Sequence, residues 1–103
     1  MTFAQGAVPL EFASNALVRA VADDALERDG EVLVLHGSDL TLLSSIAGAV
    51  VLETLHEPRT VAQLTVRLFD QFGLPEGVEP GEAVRQVLGA LVDRRIVEVS
   101  PAP

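Results

Sequence analysis

The sequence predicts an α+β domain that is winged-helix-like, with a three-stranded antiparallel sheet followed by three helices. Three observations predict it. Short apolar runs over residues 24–43 are punctuated by Asp29-Gly30 and Gly37-Ser38, the pattern of consecutive hairpins. From residue 44 the apolar period lengthens from two to between three and four, as in helices packed on one face. Within that stretch Thr60-Val61-Ala62-Gln63 is a capping box, in which the Thr hydroxyl and the Gln side chain satisfy backbone donors reciprocally.

Residues 1–13 contain Gly6 and Pro9 and show no apolar period, which reads as a flexible or loosely docked arm. Residues 14–28 admit two readings. Leu17, Val21 and Ala25 recur every four residues behind the capping candidates Ser14 and Asn15, as in a helix. Alternatively, residues 24–28 form the first arm of a hairpin closed by Asp29-Gly30, the dipeptide preferred by a type I′ turn. The hairpin is the favoured reading. The next run, Glu31-Val32-Leu33-Val34-Leu35, looks like a central strand covered on both faces, or nearly so. His36-Gly37-Ser38 connects it to a third strand, where Leu40 and Leu42 share one face and Thr41 turns to the other. That strand needs no neighbour on its far side.

Ser44 or Ser45 is the expected cap of the first helix, with Ile46, Val50, Val51 and Leu55 on its apolar stripe and Pro58 ending it. The second helix should present Val61, Leu64, Leu68, Phe69 and Phe72 to the core and stop at Gly73. Residues 74–80 form a loop, and a third helix over about 81–94 carries Val84, Val87, Leu88, Leu91 and Val92 on its stripe. A short strand at 96–99 and a tail at 100–103 complete a single domain spanning 14–99.

Composition narrows the function. Net charge is −8, from 15 acidic residues against 7 Arg dispersed along the chain, so phosphate backbones are repelled and nucleic acid is not expected as a partner. Without cysteine there is no thiolate nucleophile and no disulfide. No apolar run approaches a membrane span and the first residues lack a secretory pattern, so a cytoplasmic protein with no membrane partner is expected. His36 and His56 lack ligand spacing, and neither a metal nor another cofactor is expected. Ser44 and Ser45 sit in no nucleophile elbow, and the glycines form no phosphate loop. The Asp23-Asp24 pair and Glu76, Glu79 and Glu82 have no pocket to split their pKa values. Aromatic content of 4%, all Phe, gives no stacking platform for bases. The chain reads as a binding domain and not as an enzyme.

Two binding modes suit three strands followed by three helices. A DNA-reading winged helix would use Gln63, Arg67 and Gln71 on the second helix, but Asp70 lies among them and the domain is anionic. β-Augmentation would use the third strand, which carries Asp39 as its one charge and no Pro to blunt the edge. A structural dimerising module, with the edge covered by a partner protomer, is the remaining alternative.

Residues 21–99 resemble the PqqD-like family, also called RiPP recognition elements. The likeness lies in the hairpin DGEVLVLHG, the strand DLTLLSS, and a helix beginning Ile46-Ala47 and continuing Val50-Val51-Leu52. It continues through Arg59-Thr60-Val61-Ala62-Gln63-Leu64 and the closing VRQVLGALVDRRIVEV. Ser44 stands where the family commonly has Asn, and His56-Glu57-Pro58 replaces a frequent Asp-Gly. The segment before Val21 is longer than the family core needs. The resemblance implies a leader-peptide chaperone that holds a precursor's leader antiparallel along the third strand, beside the third helix, for a separate maturation enzyme. Carried over by position, the strand contributes Asp39, Leu40, Thr41, Leu42 and Leu43, chiefly through backbone groups. The helix offers two flanks, Arg85, Gly89 and Val92 on one and Val87, Ala90 and Arg94 on the other. Sequence leaves open which flank faces the strand, and whether the protein is a homodimer.

Overall fold

The computed structural model describes residues 13–73 and 76–101. Among them are three helices and two three-stranded antiparallel sheets, an α+β fold. The expected meander is present as β2 (Asp24–Arg28), β3 (Glu31–His36) and β4 (Asp39–Ser44), in the order β2-β3-β4. Asp29 and Gly30 both have positive φ, 56° and 81°, as a type I′ turn demands. The second turn is steadied from outside, where the Gly37 N–H donates to Asp23 Oδ2 at 2.8 Å.

The helices follow as α1 (Ser45–Thr54), α2 (Val61–Phe72) and α3 (Pro80–Asp93). Gly48 lets α1 lie close on β3, since a Cβ there would stand 2.7 Å from Val32 Cγ2. The capping box of α2 forms in full. Gln63 N–H donates to Thr60 Oγ1 at 3.0 Å and Thr60 N–H donates to Gln63 Oε1 at 2.9 Å. Pro80 occupies the first turn of α3, where its missing N–H costs nothing. At its far end Ile96 N–H bonds Leu91 O and Arg95 N–H bonds Val92 O, a Schellman closure with Arg95 at φ 62°.

Residues 14–28 contain no helix. Instead β1 (Leu17–Ala20) pairs antiparallel with β6 (Val97–Ser100) and with the two-residue β5 (Arg59–Thr60), giving the order β5-β1-β6. The period of two wins over the period of four, because Ala16, Val18 and Ala20 alternate into the core while Arg19 faces water. Ser100, expected in the tail, closes this sheet opposite Leu17. The arm expected over 1–13 lies outside the described residues except for Ala13.

The core is one cluster between the sheets and the helices. Val32, Val34 and Leu43 enter it from one sheet, Val18, Ala20 and Val97 from the other. Val50, Val51, Leu64, Leu68, Val84, Leu88 and Leu91 come from the helices. Each of these Val and Leu side chains contributes roughly 1.5–3 kcal/mol on removal from water. Three further expectations are corrected. β3 is covered on one face, since Leu33 and Leu35 are partly exposed. Phe72 stands 45% exposed because α2 ends there, one residue before Gly73 and past the reach of the core. His36, expected in the connection after β3, is the half-buried last residue of that strand, and its Nδ1 is buried with no hydrogen-bond partner among the described residues.

Candidate functional site

β4 is the end strand of its sheet, and among the described residues it pairs with β3 alone. The two-residue Gly37-Ser38 turn makes His36 and Asp39 the closing hydrogen-bonded pair. By the antiparallel alternation Asp39, Thr41 and Leu43 turn their N–H and C=O groups to β3. Leu40 and Leu42 turn theirs to the open side. Ahead of Ser44, where β4 runs into α1, the outward backbone donors and acceptors of the edge therefore belong to Leu40 and Leu42.

Side chains alternate as well. Leu43 enters the core and Thr41 is half-buried on that inner side, while Leu40 and Leu42 stand exposed on the outer face. Beside the edge runs an open groove of about 320 Å³, lined by Leu42, Leu43, Ala47, Val87, Ala90, Leu91 and Arg94. The small side chains of Ala47 on α1 and Ala90 on α3 leave the space, and Leu43 and Leu91 form its apolar floor. Arg94, just past α3, is exposed and has no ion-pair partner among the described residues. An apolar trough ending in an unpaired guanidinium suits an extended peptide with an apolar side chain and a carboxylate.

Of the two helix flanks, Val87, Ala90 and Arg94 line the groove with Leu42 and Leu43. Arg85 does not, because its Nη2 approaches Ser14 Oγ at 3.4 Å and its guanidinium lies over Gly81. Val92 packs half-buried against the core, away from the groove. Asp39 is exposed at the start of β4, opposite His36, and Leu40 lies over Leu35 on the outer face. Ala47 and Leu91 are the residues that sequence reasoning missed as lining. Ala47 was legible as a small residue in a first helical turn, whereas Leu91 reads only as core.

The polar stripe of α2 is differently employed. Arg67 Nε is hydrogen-bonded to Glu53 Oε1, and Gln63 serves in the capping box. Arg59 reaches Glu53 and Glu57 as well, so this patch is internally neutralised. Among the described residues no group of His, Asp and Glu could hold a metal ion, and no helix is long and apolar enough to cross a membrane. Comparison with family models, with curated proteins and with solved structures returns no match.

Proposed function

We propose that this domain is a non-catalytic capture module, PqqD-like in its action, for the leader segment of a ribosomally made precursor peptide. The leader adds to β4 as a further strand and a separate modifying enzyme acts on the held precursor. One observation carries this reading: the free edge of β4 adjoins a groove whose other wall is α3. Leu40 and Leu42 supply main-chain hydrogen bonds, which give affinity without reading sequence. The groove supplies the selection, through an apolar pocket and the Arg94 guanidinium.

The module needs no chemistry of its own, because tethering raises the effective concentration of the core peptide at the enzyme. This reading assigns the protein to the cytoplasm, where ribosomal products first appear, with neither nucleic acid nor membrane as partner. The test is an NMR titration of the isotope-labelled protein with a synthetic leader from a precursor encoded beside its gene. Shifts should centre on β4 and on Val87, Ala90 and Arg94, and Arg94→Glu should weaken binding about tenfold without loss of fold. Shifts confined to α2, or saturation with β4 undisturbed, would overturn the reading.

A further inference from the structure

Peptide capture at the edge leaves the outer face of β2-β3-β4 unexplained. Leu26, Leu33 and Leu42 are direct cross-strand neighbours in one row, and Leu35 and Leu40 in the next. These five leucines are between 38% and 65% exposed. Single exposed leucines are ordinary, but a contiguous apolar patch spanning three strands marks an interaction surface. A strand added beside β4 would reach Leu40 and Leu42 and leave Leu26 two strands away in water. The occupant must be broad and flat.

The charges around the patch point to one occupant. On β2, Asp24 stands two residues before Leu26 and Arg28 two residues after it, so all three share the outer face. Arg28 has no ion-pair partner among the described residues. A strand that reads acid, leucine, base along one face is complementary to itself when reversed. A two-fold axis crossing β2 at Leu26 sets that leucine against its own copy and brings Asp24 of each chain to Arg28 of the other. Glu31, the cross-strand neighbour of Arg28 on the same face, lies on the other side of that arginine. We propose that the protein pairs with a second copy of itself by stacking the two outer faces, leucines at the centre and two Asp24–Arg28 pairs at the rim.

Such stacking buries on the order of 1,000 Å² in total, near the lower end for specific interfaces, which suits a reversible dimer. It covers the face and not the edge, so each protomer keeps the backbone edge of β4 and the helical wall of its groove free, with Leu42 alone bordering both surfaces. The proposal is independent of peptide capture, and either can fail alone.

The test is sedimentation velocity of the full chain over a concentration series. A monomer–dimer equilibrium in the micromolar range is expected. Leu26→Glu and Leu33→Glu should each raise Kd about 30-fold or more while circular dichroism stays unchanged. Asp24→Arg and Arg28→Asp should each weaken pairing, and the two together in one chain should restore it. A monomer at every concentration overturns the proposal, as does a dimer indifferent to Leu26→Glu. A monomer in which residues 1–12 show NOEs to these leucines gives the face to the chain's own N-terminal segment, and overturns it equally.

Discussion

On the outer face of the β5-β1-β6 sheet, Arg19 stands opposite Glu98 and the two form an ion pair at 3.2 Å, with side chains 61% and 62% exposed. On the outer face of β2-β3-β4, comparable positions hold leucines. Both sheets bury their other face in the same core, Val18 and Val97 from one, Val32 and Val34 from the other. The same chain thus finishes one sheet for water and leaves the other apolar. The difference extends to the edges. β5 is two residues long and runs directly into α2, whereas β4 runs six residues and, among the described residues, pairs with β3 alone. Among the described residues, one sheet closes the structure and the other leaves an edge strand and an apolar face uncovered.

Substitution of opposite faces within the second sheet should give the largest contrast. Val34 has no exposure, and Val34→Asp, which buries an unpaired carboxylate, is expected to abolish folding. Leu26→Asp, on the neighbouring strand but the outer face, should cost less than about 1 kcal/mol in urea denaturation at a concentration where the protein is monomeric. A comparable loss at Leu26 would mean that its face is packed after all. Next in size is Gly48→Ala, whose methyl meets Val32 and should cost about 1–3 kcal/mol, with Val32→Ala in the same chain recovering part of it. Additive losses in the double variant would place the strain elsewhere.

In the first sheet, Thr60→Ala removes the cap at the junction of β5 and α2 and should cost about 1 kcal/mol, measured by thermal unfolding. The smallest effect belongs to the pair that distinguishes its outer face. Glu98→Ala should cost less than about 1 kcal/mol and nothing measurable in high salt. A larger, salt-insensitive loss would show that this face is more than solvent finish.

The elements legible in the sequence are those fixed by local chemistry. Asp29-Gly30 set the first turn, Thr60 and Gln63 set the start of α2, and the apolar periods set the helices. β1 was hidden because Leu17, Val21 and Ala25 imitate a helix, while the partners that make it a strand lie at residues 59–60 and 97–100. The continuous run of β3 reads as doubly buried, since no local signal says whether a second layer will cover Leu33 and Leu35. The edge residues of β4 were legible for the same reason as the turns. The helix flank facing them was not, because the rotation of α3 is decided by Val84, Leu88 and Leu91 settling into a shared core.

In the proposed mode of capture, β4 binds a leader through the backbone of its alternate residues Leu40 and Leu42. Amide hydrogen exchange resolved by residue, with and without a saturating leader peptide, tests it most directly. Thr41 and Leu43 should be protected in both states, since their amides already face β3. Leu40 and Leu42 should exchange readily in the free protein and become protected on binding. Leader binding that leaves the Leu40 and Leu42 amides exchanging as before would contradict strand addition at this edge.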